Sequence, residues 1–238
     1  MTDRIEKTEK FLREKLSESS YFIKYPEKLS YRAEHSIRVA RIAGEIAAAE
    51  NMDEEAAVLA GLLHDVSYCR EFTDHDDWKD HGRSAARIAR PFLEAMKLPT
   101  DTVEEICYGI AIHVDGKADF EGKRTPLAQT VTDADNIDRF DAYRLYETLE
   151  YVGYSKFSPE EKRAYAEAVI GKMADYLQME LTTPKATDLW RQRIAYYQDF
   201  FQRLLSQIDA GTGYLNPECR SAESPADPER MMQLSGHF

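Results

Sequence analysis

Cysteine is scarce in this chain of 238 residues, with three scattered positions, Cys69, Cys107 and Cys219, and no CxxC pair. That excludes a disulfide framework and a thiolate zinc site, and leaves ordinary reduced thiols. Long apolar runs are missing too. No window approaches the roughly 20 apolar residues of a membrane span, and the opening MTDRIEKTEKFLREK lacks the apolar centre of a secretory signal. The expectation is a cytoplasmic protein without a membrane partner. Positive charge is in deficit: 31 Lys and Arg stand against 43 Asp and Glu, a formal net charge of −12. No basic stripe interleaved with aromatics offsets this, so the field repels polyanions and no long nucleic acid is expected as a partner. Small anions stay admissible, because a metal ion with a few basic side chains reverses the potential inside one pocket.

What is present is helical spacing. Hydrophobic residues make up 43% of the chain, enough for a sizeable core. Val39, Ile42, Ala43 and Ile46 recur at helix intervals, as do Val58, Leu59, Leu62, Leu63 and Val66, while long alternating runs and internal repeats are absent. The fold class read from this pattern is all-α. Helices are predicted over 4–18, 31–50, 54–67, 81–96, 101–114, 127–150 with a break near Asp135, 159–179 and 184–208. Ser30 and Asp53 read as caps, Asp101 with Glu104 as a capping box, and SPEE as Ser158 at N-cap, Pro159 at N1 and Glu161 at N3, with TTPK opening the last helix in the same manner. In that helix Trp190, Ile194, Tyr197, Phe201, Leu204 and Ile208 form a seam that suits a helix of the same domain or, in a homodimer, a second copy. From Gly211 the chain is rich in Gly, Pro and Ser and reads as a loose tail, with His237 assigned no role.

The stretch LAGLLHDVSYC puts His64 and Asp65 directly after core-forming residues. Burying them is costly unless a hydrogen-bond partner or a cation satisfies them. If 31–50 and 54–67 form an antiparallel hairpin about ENMDE, the midpoint of His35 and His64 falls at that turn, so the two imidazoles lie side by side. His81 and His113 have their midpoint at Lys97, on the predicted turn KLPT, and form a second pair. In TVTDADNIDRF, Asp133, Asp135 and Asp138 follow an apolar stretch as His64 and Asp65 do. A set of His35, His64, Asp65, His81, His113 and one of these aspartates is nitrogen and oxygen ligation without sulfur, which suits Mn, Fe, Ni, Co or Zn, one or two ions, with Mg at a carboxylate-rich subsite. Asp65 is the natural bridge between two ions, and a metal-activated water the nucleophile. A second HD at His75-Asp76, inside TDHDDWKDH, reads as a solvated lid or loop.

The order His35, His64-Asp65, His81, His113, Asp135 resembles the HD-domain superfamily of metal-dependent phosphohydrolases, and EHSIRVARIA, AGLLHDV, HGRSAARIA, IAIHVDG and DADNIDRFDA resemble its bacterial hydrolases. The resemblance covers about residues 30–150. It implies an HD helical bundle with additional C-terminal helices: an extension over 1–30, a metal-binding core over 31–150, further helices over 151–210 and an irregular tail over 211–238. It also implies that His35, His64, Asp65 and Asp135 hold one metal and that His81 and His113 complete a second site, with Asp133 or Asp138 supporting them. Arg38, one turn from His35, either clamps a phosphate oxygen or forms a salt bridge. Lys117, Lys123 and Arg124 lie in DGKADFEGKRTP, which either folds over the site or stays solvated. Where some HD hydrolases carry a phosphate-holding lysine after the HD pair, HDVSYCREF offers only Arg70.

The expected activity is metal-dependent hydrolysis of a small phosphate ester, a nucleotide being the favoured kind, with Asp65 and Arg38 as the catalytic side chains. The alternative is an HD-type di-iron oxygenase acting on an organophosphonate or a polyol, for which Tyr21, Tyr25 and Tyr31 stand just before His35.

Overall fold

A computed structural model describes residues 2–212. In chain order it contains α1 (Asp3–Ser17), α2 (Ser20–Lys24), α3 (Pro26–Ala49), α4 (Glu54–Leu63), α5 (His75–Lys79), α6 (His81–Ala95), α7 (Thr100–Ile112), α8 (Pro126–Asp138), α9 (Ala142–Tyr151), α10 (Pro159–Tyr176) and α11 (Pro184–Thr212). Short 3₁₀ turns occupy Val66–Cys69 and Tyr154–Lys156, and no strand occurs among the described residues. The fold is all-α. The tail beyond Thr212, with Cys219 and His237, lies outside the described residues.

The chain divides into two compact units, one formed by the residues up to Asp138 with Leu181–Thr187, the other by Arg139–Glu180 with the residues from Asp188 onward. In the first unit α3 and α4 form an antiparallel hairpin. Asn51 takes a left-handed conformation at the turn (φ 56°), and the Asp53 side chain accepts the Ala56 N–H at 3.0 Å, capping α4. Small residues let the two helices touch. Ala40, Ala43, Ala47, Ala56, Ala57 and Ala60 are buried, and a Cβ added at Gly61 would stand 2.6 Å from the Ala40 Cα.

α6 and α7 form a second hairpin, turning at Lys97 (φ 57°). Gly82 has a comparable constraint, since a Cβ there would meet the carbonyl oxygens of Ile110 and Ala111 at 2.9 Å. Each close approach lies beside one of the imidazole pairs. Leu59, Leu63, Leu93, Ile106, Ile110 and Val131 fill the space between the helices, and α1 adds Leu12 and Leu16. Each fully buried leucine stabilises the unit by roughly 1.5–3 kcal/mol. Cys107 lies in this core, where burial pushes its thiol up to about 11.

In the second unit Phe140 meets Trp190, Tyr176 and Tyr197 edge to face at 5.1–5.6 Å, and the Trp190 indole donates to the Tyr176 carbonyl at 2.7 Å. Trp190, Ile194, Tyr197 and Phe201 are buried, so the seam of α11 meets helices of its own unit. The SPEE capping box is present: Ser158 Oγ accepts the Glu161 N–H at 3.1 Å, and Glu161 accepts the Ser158 N–H at 2.7 Å.

Several helix boundaries differ from the sequence reading. Ser30 lies inside α3, which opens at Pro26, because proline at the first position already presets the helical φ. α7 starts at Thr100 after Pro99, with no side-chain cap from Asp101. The break expected near Asp135 falls at 139–141, where Asp141 caps α9. TDHDDWKDH, expected as a loop, contains α5, capped by Asp74 on the Asp77 N–H at 2.8 Å. Among the described residues no helix is long and apolar enough to cross a membrane.

Candidate metal centre

The two hairpins bring four imidazoles and two carboxylates together. His35 comes from the middle of α3, His64 and His113 sit just past the ends of α4 and α7, His81 opens α6, and Asp135 lies near the end of α8. All four histidines, Asp65 and Asp135 are buried. The Nε2 atoms of His35 and His64 lie 3.3 Å apart, and those of His81 and His113 3.1 Å apart.

Asp65 stands between the pairs and divides its oxygens between them. Oδ2 is 3.5 Å from His35 Nε2 and 3.4 Å from His64 Nε2. Oδ1 is 3.4 Å from His81 Nε2 and 3.8 Å from His113 Nε2. Asp135 Oδ1 approaches His35 Nε2 at 3.3 Å. Potential ligand atoms of His35, His64 and Asp135 lie within 4.8 Å of one another, as do those of His64, Asp65 and His113.

The outward-facing ring nitrogens explain why all four Nε2 atoms point inward. Nδ1 of His64, His81 and His113 faces the carbonyl of Gly61, Trp78 and Ile110, at 2.7, 2.6 and 2.7 Å. A carbonyl only accepts, so each Nδ1 carries a proton and the Nε2 of each ring is left facing the centre. Between His81 and His113 two ring nitrogens 3.1 Å apart face each other beside an Asp65 oxygen. That arrangement fits a cation, and the donor set, imidazole and carboxylate without sulfur, fits a divalent transition metal.

His35 is held differently. Its Nδ1 meets Asp138 Oδ2 at 2.8 Å, and Arg38 grips the same carboxylate with Nε at 2.8 Å and Nη2 at 3.1 Å. Burial works to lower the His35 pKa, but hydrogen bonds to Asp135, Asp138 and Asp65 prevail and push it up to about 10. Burial works to raise the Asp65 carboxyl, yet His64 and the Arg32 guanidinium, with hydrogen bonds from His113 and His35, hold it well below the usual carboxylate range. Arg32, paired with Asp65, and His35, held among the aspartates, bring positive charge to these carboxylates.

Residues 32–139 match the family model described as HD domain. This stretch is an HD domain. Part of the chain is also similar to two curated proteins, both named Ribonuclease Y. It is 39% identical to the one from Lactobacillus helveticus over 61 residues, 26% of this chain and 11% of that protein. The one from Lactobacillus acidophilus is 40% identical over 60 residues, 25% of this chain and 10% of that protein. The chain thus spans only about a tenth of the length of these relatives. A solved structure of a predicted HD superfamily hydrolase from an uncultured Thermotogales bacterium shares the fold, with a TM-score of 0.52 and 24% identity over 73% of this chain and 79% of that one.

The HD domain separates the three aspartates of DADNID by role. Asp135 faces the imidazoles, Asp138 supports His35 from behind, and Asp133 lies apart, accepting the Thr182 N–H at 3.0 Å with its carboxyl pushed up by burial. Arg38 is engaged with Asp138. Arg70 is bonded to Asp77 through both terminal nitrogens, at 2.8 and 2.6 Å. In the loop after α7, Arg124 bonds the Gly116 carbonyl, the Lys117 carbonyl accepts from Arg83 at 3.2 Å, and Lys123 is exposed. Tyr21 and Tyr25 pack against each other with ring centroids 5.0 Å apart, while Tyr31 lies parallel to the His35 ring at 6.4 Å.

Sequence reasoning missed Arg32, Tyr68 and Trp78. Arg32 pairs with Asp65, and its guanidinium lies 3.6 Å from the centroid of the Tyr68 ring. The Tyr68 hydroxyl accepts from the Trp78 indole at 3.1 Å. The available signal was spacing: Arg32 precedes His35 by three residues and so shares its helix face.

Proposed function

We propose that this HD domain is the catalytic part of a metal-dependent phosphohydrolase acting on a small phosphate ester, a nucleotide being the favoured kind. One observation carries the reading: two pairs of inward-facing Nε2 atoms, each pair beside its own oxygen of a single buried carboxylate, Asp65. His35, His64, Asp65 and Asp135 would hold one divalent ion, and His81, His113 and the other oxygen of Asp65 a second. Bound there, a divalent ion supplies Lewis-acid polarisation of a phosphoryl oxygen and lowers the pKa of water to within reach of neutrality.

The remaining work belongs to the protein. Carbonyls of Gly61, Trp78 and Ile110 fix the tautomers of three histidines, and Asp138, clamped by Arg38, fixes the fourth. Such outer partners hold ligands in place before a metal arrives, which reduces the ordering cost of binding. Arg38 is accordingly a positioning residue in this reading, and Asp65 the side chain at the reacting centre. Hydrolysis forms a bond from water oxygen to phosphorus and breaks the ester bond, and the leaving oxygen takes a proton.

The test is elemental analysis of protein purified without chelator, alongside phosphate release with Mn, Mg, Co, Ni and Zn on a panel of nucleotides and sugar phosphates. One to two ions per chain with metal-dependent release is the expected result. Two tightly held irons without phosphate release would overturn it in favour of a di-iron oxygenase.

A further inference from the structure

Beside the His81 and His113 pair, aromatic rings run without a gap from the buried centre to solvent. The Tyr68 ring stands 5.5 Å from that of His81, and Phe72 packs edge-on to Tyr68 at 4.8 Å. Trp78 also lies 5.5 Å from His81, and His75 lies parallel to the indole with centroids 5.5 Å apart at an interplanar angle of 15°. The outermost pair is open, with Trp78 41% exposed and His75 exposed on the same short helix.

The backbone and the ring of Trp78 are each tied toward the centre by one hydrogen bond. Its backbone carbonyl accepts the His81 Nδ1–H at 2.6 Å. Its Nε1–H donates to the Tyr68 hydroxyl at 3.1 Å, and Tyr68 is capped by Arg32, which pairs with Asp65. An exposed apolar ring oriented through its Nε1–H, on a backbone anchored to His81, is suited to receive something flat.

We propose that the offset-stacked rings of His75 and Trp78 form a seat for a planar aromatic group of the substrate, a nucleobase, lying next to the His81 side of the centre. Stacking suits this geometry because every base offers a π-face and the seat offers no buried donor or acceptor to select among bases. The placement also suits it, since the Trp78 ring lies 5.5 Å from that of His81, next to the imidazole pair. The placement of this seat on the substrate's path rests on the phosphohydrolase reading, but stacking itself can be read without catalysis.

Trp78 is the exposed member of two tryptophans and Trp190 the buried one, so emission reports the seat directly. Full-length protein in chelator is titrated with adenosine and, separately, with ribose 5-phosphate. Adenosine is expected to quench saturably and ribose 5-phosphate not to. In Trp78→Phe the residual Trp190 emission stays indifferent to adenosine, and in His75→Ala, with an unchanged circular dichroism spectrum, the apparent affinity falls about tenfold, toward the low end of what base stacking on an aromatic side chain contributes. No saturable quenching, a full response retained in Trp78→Phe, or an undiminished affinity in His75→Ala overturns the proposal. Phosphate release run in parallel separates the two readings. Quenching without release from any ester keeps the seat and removes the hydrolase, whereas equal release from AMP and ribose 5-phosphate without quenching does the reverse.

Discussion

Raising the pH of chelator-treated protein from 6.5 toward about 10 should remove the proton that His35 holds among Asp135, Asp138 and Asp65. The folded-state pKa lies above the unfolded one, so the folded chain keeps a proton that the unfolded chain has lost. The stability contributed by this proton is complete below about 6.5 and is lost as the pH climbs through about 10. Across that window one bound proton corresponds to about 1.4 kcal/mol per pH unit, or about 3–6 °C in Tm per unit for a chain of this size. A divalent ion taking His35 Nε2 must displace the same proton, so apparent affinity should rise about tenfold per pH unit while one proton is released. Titration calorimetry in two buffers of different ionisation enthalpy counts that proton, and thermal melts in chelator give the slope. Asp138→Asn removes one of the carboxylates responsible and should flatten both. A Tm that does not fall between about pH 7 and about pH 9 in chelator, together with no proton released on metal binding, would refute the reasoning.

Asp65→Ala should abolish both metal retention and turnover, because one carboxylate serves both imidazole pairs; unchanged metal content and activity in this variant would sink the ligand assignment. Arg32→Met leaves buried Asp65 without its guanidinium and should lower metal-free stability by about 3 kcal/mol, much of it restored by a divalent ion. Equal losses with and without the ion would mean that Arg32 acts through packing alone. Gly61→Ala forces a Cβ to 2.6 Å from the Ala40 Cα, and overpacking of this kind costs about 1–3 kcal/mol. Separation of α3 from α4 should also weaken metal binding, so wild-type Tm and metal affinity together would contradict the close helix contact.

The imidazole pairs were legible because an antiparallel hairpin converts sequence distance from a turn into spatial adjacency. His35 with His64 and His81 with His113 needed no more than the position of two turns. Short elements left no such trace: α2 and α5 hold five residues each, too few for a hydrophobic period to emerge. The start of α3 was misread because Ser30 fits a cap by type, while Pro26 carried the stronger geometric signal. Roles within a cluster were harder still. Nothing in DADNID distinguishes an aspartate that faces imidazole Nε2 from one that holds Nδ1 or one that accepts a loop N–H, since that depends on where α8 meets α3 and residues 181–187. Arg32 was within reach of the helix-face argument that singled out Arg38, and its pairing with Asp65 depends on how closely α3 and α4 approach.

His64 and His113 stand just past the last turns of α4 and α7, so both helices aim their carbonyl ends at the same small volume. Aligned peptide dipoles give such ends a partial negative charge, which adds to the carboxylates of Asp65 and Asp135. These two ends weigh against phosphate and in favour of cations at the centre. For a hydrolase at this centre, the expected order is cation first and anionic ester second. In that reading the supply of metal would control whether the ester can bind at all, in addition to how fast it reacts.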